Sequence, residues 1–286
     1  MRKNLNRSTL GNLTIFSLLT LIGLYMIIPL VYTVSNAFKP LDEFFLFPPR
    51  LFVRNPTLNN FADLFSVVST SWVPFSRYLF NSLFIVAMGT GGHVVLASMA
   101  AFPLAKNNFP GKNLLFAIVV LSLMFAPEVT AIPNFLIMAK LQLLNTYWSL
   151  IIPAIVFPLG LFLMKQFMDN IPISLIESAR IEGAGDWTIL WAVIMPIVKP
   201  AWLTLILFNF NYTWTAVSSG LGGVFIFNEE IKPLPFMLSQ ITTGFQFAWM
   251  GITSAVYFIL LIVPITVFIL TQRRVIETMS SSGIKE

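Results

Sequence analysis

The polar and aromatic side chains best suited to bind a small molecule lie close together in the C-terminal third of the chain. They are Asn209, Asn211, Tyr212, Thr213 and Trp214. Amide groups donate and accept hydrogen bonds and aromatic rings stack, so this cluster suits a ligand with many hydroxyl groups. We interpret Asn209, Asn211, Tyr212 and Trp214 as candidate pathway residues, and Asn81, beside Ser82, as a fifth. An equal alternative is structural: the polar groups would form hydrogen bonds between helices, and the aromatic rings would belong to a belt at the membrane surface.

Constellations that could perform catalysis or bind a metal are not apparent in the sequence. Cysteine is absent and His93 is the only histidine, which excludes a zinc site built from these ligands. The glycine-rich stretch 89–93 lacks the Gly-Lys-Ser/Thr ending of a phosphate-binding loop, and Gly111-Lys112 is followed by Asn113. The sequence therefore predicts no enzyme, no metal site and no cofactor in this chain.

Two ionisable residues stand out because apolar residues surround them in the sequence. An ionisable group inside a membrane span suggests a functional site. His93 lies in an apolar run of membrane-span length. Because no carboxylate shares that run, we interpret His93 as a neutral imidazole bonded to a neighbouring helix. Glu128, which follows Pro127, has two open interpretations: a pathway-lining group or a solvated helix end.

The composition predicts that membrane-spanning helices carry these groups. Of the residues, 57% are hydrophobic and 10% charged, whereas soluble domains carry about 25% charged residues. We predict an all-α polytopic membrane protein with six transmembrane helices. A membrane helix needs about 20 apolar residues, and the expected spans are roughly 13–36, 78–104, 114–138, 147–166, 201–226 and 248–271. Prolines interrupt the third and fourth spans: Pro127, Pro133, Pro153 and Pro158.

The distribution of basic residues predicts the orientation and the partners of the spans. With the N-terminus inside, the inner segments hold 11 of the 17 Lys and Arg residues, so both termini are predicted to be cytoplasmic.

The net charge is +5, but the basic residues form no stripe along the sequence. The lipid bilayer is therefore an expected partner and nucleic acid is not. We divide the chain into residues 1–76 (cytoplasmic tail, first span, external loop), 77–272 (five-span core) and 273–286 (cytoplasmic tail).

The polar segment 174–196, between the fourth and fifth spans, has the pattern of a helical docking loop. Ser174 and Glu177 match a capping box, so we predict that a helix begins at Ser174 and ends at Gly183. Asp186 is expected to cap a second helix from Trp187 to Met195, which Pro196 and Pro200 separate from the fifth span.

The predicted surface of this loop suits a soluble protein partner. Its apolar side chains are expected to face water at Leu175, Ile176, Ala179 and Ile181, and such clusters mark interaction sites. Glu177 and Glu182 offer anionic contacts for the partner. The alternative is a helix lying on the membrane surface, but such helices are basic on their polar face, and Arg180 is this segment's only cation.

An ordered set of motifs resembles one transporter family. Glu177, Ala179, Gly183, Ala184 and Pro196 match the Glu-Ala-Ala loop of bacterial ABC importer permeases, with Ser178 and Glu182 as conservative departures. Further matches flank the loop: Asn81-Ser82, Ala101 to Lys106, Phe109 to Lys112, Pro127, Ile132-Pro133 and Leu144 to Tyr147. The set resembles the carbohydrate branch of the binding-protein-dependent, MetI-like permeases, similar to the second permease of maltose-type systems.

The resemblance implies a function for the loop and a set of partners. In that family the loop is a cytoplasmic coupling helix that docks onto a separate ATPase. The positions implied here are Glu177, Ser178, Ala179, Arg180, Ile181, Glu182, Gly183, Ala184 and Pro196. The implied partners are a second homologous permease, two ATPase subunits that bind ATP and Mg, and an extracytoplasmic sugar-binding protein, in a bacterial cell membrane.

One departure and two rival functions accompany the resemblance. The family often has Trp-Asn in the fifth span, whereas Trp214 is followed by Thr215, which weakens a sugar contact there. An ion-coupled secondary transporter is the main alternative, but it needs charged relays inside the spans, and His93 is the only clear mid-span ionisable group. A membrane-embedded enzyme is the third class, and it lacks a nucleophile with a matching base.

Overall fold

The computed structural model describes residues 9–69, 72–218, 224–244 and 249–282, and every regular element within these ranges is helical. The first helices are α1 (Thr9–Ala37), α2 (Leu41–Phe44), α3 (Asn59–Ser69), α4 (Phe75–Lys106), α5 (Lys112–Ser122) and α6 (Pro127–Lys140). They are followed by α7 (Trp148–Ile155), α8 (Pro158–Asp169), α9 (Ile173–Ile181), α10 (Asp186–Thr188), a π-helical segment (Ile189–Ile194) and α11 (Met195–Ile197). The last are α12 (Lys199–Ser218), a 3-10 turn (Glu229–Ile231), α13 (Leu234–Gly244) and α14 (Met250–Ser282).

The helical membrane class predicted from composition is confirmed, but the predicted number of six spans is not. Within the described residues, four stretches are long and apolar enough to cross a bilayer: Gly11–Ala37, Phe75–Lys106, Trp148–Asp169 and Met250–Gln272. A fifth arises if Asp186–Ile197 and Lys199–Val217 form one broken span, bent by 81°. The existence of six spans and the orientation of the termini stay predictions.

The predicted third span, 114–138, is divided in the structure. Helix α5 ends at Ser122 and α6 begins at Pro127, so neither has the length that a span requires. Proline has no backbone N–H and restricts the residue before it to extended conformations. Ala126 is accordingly extended, with φ −68° and ψ 145°, and Pro127 starts a new helix.

The chain packs as two units. Unit 1 comprises residues 1–70 and 241–261, and unit 2 comprises residues 71–240 and 262–286. These units are defined by packing. The division predicted from the sequence, into 1–76, 77–272 and 273–286, is defined by spans and tails and stays a prediction. In unit 1 the rings of Phe38, Phe61 and Phe258 meet at centroid distances of 5.3 to 5.7 Å.

Unit 2 is built around the long helix α4, which packs against α7, α8 and α12. Glycine allows one of these helices to approach α4 closely. A Cβ at Gly89 would lie 2.7 Å from the Cβ of Ala154 in α7, which real atoms do not tolerate. This contact brings the backbones of α4 and α7 together as small residues do in membrane helix pairs, and α12 packs beside them.

Candidate functional site

The 173–197 segment folds as an elbow whose turn is fixed by Gly183. Helix α9 ends with two hydrogen bonds: Gly183 N donates to Arg180 O (3.0 Å) and Ala184 N donates to Ala179 O (2.9 Å). These are the paired bonds of a Schellman motif, which requires a left-handed residue. Gly183 has φ +87°, so a side chain here would strain the turn. The prediction that Gly183 ends the first helix is confirmed.

The predicted capping of both arms of the elbow was wrong. Helix α9 begins at Ile173 after Pro172, which is extended and provides no side-chain cap, so Ser174 lies inside the first turn and forms no capping box. Gly185 is the N-cap of α10. The Asp186 carboxylate instead bonds Arg180 Nη2 at 2.9 Å, with both side chains more than half exposed. This ion pair crosses the turn and joins the two arms.

The second arm is longer and less regular than predicted. It runs from Asp186 to Ile197 and includes the π-helical segment Ile189–Ile194, a widened geometry frequent at functional sites. Pro196 lies just after the π-helical segment, within α11, and the chain stays helical through it, so it does not stop the helix. The chain bends by 81° only after Ile197. Trp202 Nε1 donates to the Met195 carbonyl across this bend at 3.1 Å.

One face of the elbow is buried in the core of unit 2. Ile176, Ile189 and Ile194 are each no more than 1% exposed, and they belong to the same cluster as Ala101 of α4 and Met164 of α8. The expectation that Ile176 faces water was therefore wrong, and Ala179 packs against the same cluster. The elbow thus rests on α4 and α8 and is not a free loop.

The opposite face of the elbow presents apolar and anionic groups to its surroundings. Ile181 is 87% exposed and Trp187 is 64% exposed. Glu177 and Glu182 are exposed, and neither is ion-paired with another described residue. Apolar anchors beside uncommitted carboxylates suit a protein surface that carries Arg or Lys around an apolar pocket.

The candidate pathway residues do not form one site. Asn81 is fully buried. Its Nδ2 donates to the carbonyls of Glu230 and Lys232, both at 2.9 Å, and its Oδ1 accepts from Tyr147 Oη at 2.7 Å. Ser82 Oγ accepts from the backbone N of Leu234 at 2.7 Å. In this conformation both side chains join α4 to the segment before α13.

Asn209 and His93 lie at the break between α7 and α8. Pro158 has no N–H, so the Ala154 carbonyl lacks its helical donor, and Asn209 Nδ2 donates to it at 2.8 Å. His93 Nδ1 lies 2.8 Å from the Ile155 carbonyl. A carbonyl only accepts, so Nδ1 carries the proton. Nε2 is buried with no hydrogen-bond partner among the described residues. The predicted bond from His93 to a neighbouring helix is confirmed, and its neutral charge stays a prediction.

Tyr212 and Trp214, on the same turn of α12, have different surroundings. Tyr212 is half-buried with its ring centroid 5.0 Å from that of Phe157, and it lines a cavity of about 50 Å³. Trp214 is 6% exposed and stacks on Phe210. Asn211 is exposed, and its Nδ2 bonds its own helix at Leu207 O. Of the candidate residues, Tyr212 is the one that reaches this cavity.

The polar groups that share the cavity with Tyr212 were missed in the sequence. They are Thr130 and Asn134 of α6 and Ser149 of α7; Thr213 of α12, already part of the polar and aromatic cluster noted in the sequence, lines the cavity as well. The missed groups lie on α6 and α7, far from α12 in the sequence, so no local pattern joins them to Tyr212. Glu128 is exposed in the first turn of α6, where a carboxylate is favourable beside the helix N-terminus. This position agrees with a solvated helix end.

Comparisons with known proteins agree with these features. Residues 93–280 match the family described as binding-protein-dependent transport system inner membrane component. The chain is 31% identical to protein LplC of Bacillus subtilis over 226 residues, covering 77% of this chain and 72% of LplC. It is 28% identical to the arabinooligosaccharides transport system permease protein AraQ of Halalkalibacterium halodurans, covering 92% and 93% of the two chains. It is 28% identical to the sn-glycerol-3-phosphate transport system permease protein UgpE of Yersinia enterocolitica, covering 88% and 90%.

Two solved structures share the fold. One is a bacterial ABC transporter involved in the import of the acidic polysaccharide alginate, with a TM-score of 0.75 at 22% identity, covering 93% of this chain and 98% of that chain. The other is a bacterial alginate ABC transporter in complex with an alginate pentasaccharide-bound periplasmic protein. It has a TM-score of 0.58 at 15% identity, covering 91% and 92%.

Proposed function

This chain belongs to the binding-protein-dependent transport system inner membrane component family, and we propose that it is the permease subunit of an ATP-driven carbohydrate importer. The observation that carries the proposal is the elbow. It combines a glycine-fixed turn and an exposed apolar tip with a buried face on α4 and α8. A force applied to the tip is therefore transmitted to helices that pack around the candidate pathway.

The elbow is the proposed docking site for a separate ATPase. Ile181 and Trp187 would enter an apolar pocket of that subunit, and Glu177 and Glu182 would meet its basic side chains. The docking set extends over the turn and includes Ser178, Ala179, Arg180, Gly183, Ala184 and Pro196. ATP and Mg would be bound by the ATPase, because this chain has no nucleotide-binding motif.

The topology that this function requires has six spans and cytoplasmic termini. We place the third span across α5 and α6 with the turn 123–126 between them, and the fifth across the bent pair of helices. Lys and Arg are concentrated in the segments that this arrangement puts inside, and the elbow then faces the cytoplasm of a bacterial cell.

The proposed substrate is a carbohydrate, delivered by an extracytoplasmic binding protein. Relatives named for arabinooligosaccharides and for polygalacturonan or rhamnogalacturonan, and a structural neighbour that imports alginate, support this class. Tyr212 with Thr213 and Asn134 offers hydroxyl and amide groups beside a cavity, and Asn211 adds an exposed amide. A second, homologous permease would supply the other half of the pathway.

The ion-coupled alternative is not supported. Relatives are named as transport system permease proteins, and both structural neighbours are ABC transporters. The one clear mid-span ionisable group, His93, has Nδ1 committed to a helix carbonyl, and no acidic partner for it stands in its run of the sequence.

The proposal is tested by Gly183→Leu in the assembled transporter. A leucine is strained at φ +87°, so the turn that aims Ile181 and Trp187 is distorted while the buried face of the elbow is untouched. We expect normal insertion, with loss of ATPase co-purification and of ATP-driven sugar uptake. Gly111→Leu is the matched control, because Gly111 has φ +86° and, as at Gly183, a Cβ there would meet no heavy atom within 4 Å. Normal uptake by the Gly183→Leu variant would contradict the docking role.

A further inference from the structure

Eight consecutive residues that follow α2 form an exposed apolar loop in unit 1. Residues 45–52 are all exposed or half-exposed. Five of them are large and apolar: Phe45, Leu46, Phe47, Leu51 and Phe52. Phe47 is 95% exposed and Phe52 is 72% exposed. Arg50 is the only charged residue of this loop, and no acidic residue lies within it. A contiguous apolar surface of this kind marks a contact with an apolar partner.

The loop is fastened to the end of the first span by a buried lysine. Lys39, two residues after α1 ends, is 3% exposed. Its Nζ donates to Asn36 Oδ1 of α1 at 2.9 Å and to the Arg50 carbonyl at 3.0 Å. The ammonium group also lies 5.6 Å from the ring centroid of Tyr32, which is a cation–π distance. Arg50 is therefore held close to the C-terminal end of α1, a candidate span.

A buried carboxylate closes the base of the same loop. Glu43 is 6% exposed, and its two oxygens accept from the backbone N of Arg54 at 3.3 Å and of Asn55 at 3.1 Å. Glu43 precedes the loop and its two partners follow it, so both ends are joined. The apolar side chains of 45–52 project from a fixed base.

The apolar surface of the loop continues onto α1. A groove of about 450 Å³ separates them. It is lined from α1 by Leu30, Val31 and Val34 and from the other side by Phe52, Val53 and Pro56. Helix α1 is a candidate span whose most apolar 18-residue stretch buries no residue within this chain. Ser35 is the one polar residue in the lining of this groove, so the surface that a bilayer would cover on α1 continues to the loop across a mostly apolar groove.

We propose that residues 45–52 are a membrane anchor that inserts into the lipid leaflet at the C-terminal end of α1. Phe45, Phe47 and Phe52 enter the border between headgroups and acyl chains, where aromatic residues are favoured. Arg50 reaches the lipid phosphates, as basic residues near a span do. The loop fixes the depth of α1 and supports the outer segment above it.

Lipid fits this surface better than a protein does. A protein interface of useful size combines an apolar centre with a polar rim that supplies hydrogen bonds, and the exposed side chains of 45–52 other than Arg50 carry no hydrogen-bonding group. The level set by Lys39 is that of the membrane surface, where an apolar loop meets lipid first. The sugar-binding protein and the partner permease are the occupants that the experiment must distinguish.

The test uses the absence of cysteine from the chain. A single thiol is introduced by Phe47→Cys, labelled with a fluorophore, and measured in the assembled transporter in nanodiscs whose lipids carry a quencher below the headgroup. Asp63→Cys is the control, since Asp63 is also exposed in unit 1 but lies on α3. We expect about twofold or greater quenching at the Phe47→Cys position relative to the control, because an interfacial insertion depth of about 5–10 Å brings the label to the quencher.

Two further arms identify the occupant. The quenching should be unchanged when saturating sugar-binding protein is added. It should also persist when the label is placed by Phe52→Cys. Quenching equal to that of Asp63→Cys overturns the proposal, and so does quenching that disappears when the binding protein is added, because that protein would then cover the loop. A third outcome is a label that is shielded from the quencher in the full assembly but quenched in this chain alone. The loop would then contact the partner permease, and the proposal of a membrane anchor would be overturned.

The measurement requires no transport or ATP hydrolysis. The anchor proposal can therefore fail while the elbow still docks an ATPase, and it can hold even if the elbow docks none.

Discussion

At the scale of single residues, the break between α7 and α8 explains why polar side chains are buried among apolar helices. A helix break inside a membrane is tolerated only where other groups satisfy the freed carbonyls. Asn209 and His93 do this for Ala154 and Ile155, each at 2.8 Å. Both residues attract attention as substrate or proton sites when only the sequence is considered. Their contacts assign them to the support of the broken helix in this conformation.

Asn209→Ala should therefore destabilise the protein. The substitution leaves the Ala154 carbonyl without its donor in an apolar interior, which we expect to cost about 1–2 kcal/mol. Thermal unfolding of the purified protein in detergent measures the effect. Asn211→Ala, two residues away on the same helix, is the control, because its exposed amide bonds only its own helix and its loss should cost little. Equal stability of the two variants would contradict the supporting role of Asn209.

Tyr212→Phe should alter transport without altering stability. The ring keeps its contact with Phe157, while the hydroxyl beside the cavity is lost. If this hydroxyl contacts the passing sugar, the KM for uptake should rise several-fold, corresponding to the roughly 1 kcal/mol of a typical hydrogen bond, with ATPase binding unchanged. Tyr257→Phe, at an exposed tyrosine of α14, should leave uptake normal. Unchanged uptake kinetics for Tyr212→Phe would remove this residue from the pathway.

At the scale of elements, the elbow separates a supporting face from a docking face. Ile176 is 1% exposed and Ile181 is 87% exposed, although both lie in α9. The buried face joins the elbow to the core of unit 2, and the exposed face is free for a partner. In our proposal, this helix would transmit motion between a soluble ATPase and the membrane helices.

Alanine substitutions at these two isoleucines should have opposite effects. Ile176→Ala removes a buried side chain and should lower stability by about 2–5 kcal/mol. Ile181→Ala should leave stability nearly unchanged but weaken binding of the ATPase, because it removes an exposed apolar anchor. Unfolding of the purified variants and co-purification of the ATPase measure the two effects. If Ile181→Ala bound the ATPase normally, the tip of the elbow would not be the contact.

The sequence predicts the elements governed by local chemistry and not those governed by packing. The end of α9 was predictable, because glycine is the residue that adopts a left-handed turn without strain. The start of α9 was not, because the helix begins at Ile173, one residue before the predicted Ser174, and its N-cap Pro172 makes no side-chain cap. The burial of Ile176 and the cavity beside Tyr212 depend on helices far apart in the sequence, which periodicity alone does not bring together.

At the scale of the whole molecule, we propose that the chain is a gate whose energy is supplied by a partner subunit. Within the described residues no group of three or more metal-ligating side chains exists, and the sequence contains no nucleotide-binding motif. In our proposal the energy enters through the elbow from an ATPase, and a second permease completes the pathway. The identity of the sugar would then be selected largely outside this chain, by the binding protein.

The central claim is that a cytoplasmic ATPase holds the tip of the elbow, and cysteine chemistry at Ile181 tests it most directly. Ile181→Cys introduces the only thiol of the chain at a position that is exposed within the subunit. In intact cells this thiol should resist a membrane-impermeant reagent added outside, and in inverted vesicles it should crosslink to the ATPase subunit. Labelling from the external medium, or the absence of any crosslink in an assembled and active transporter, would contradict the account.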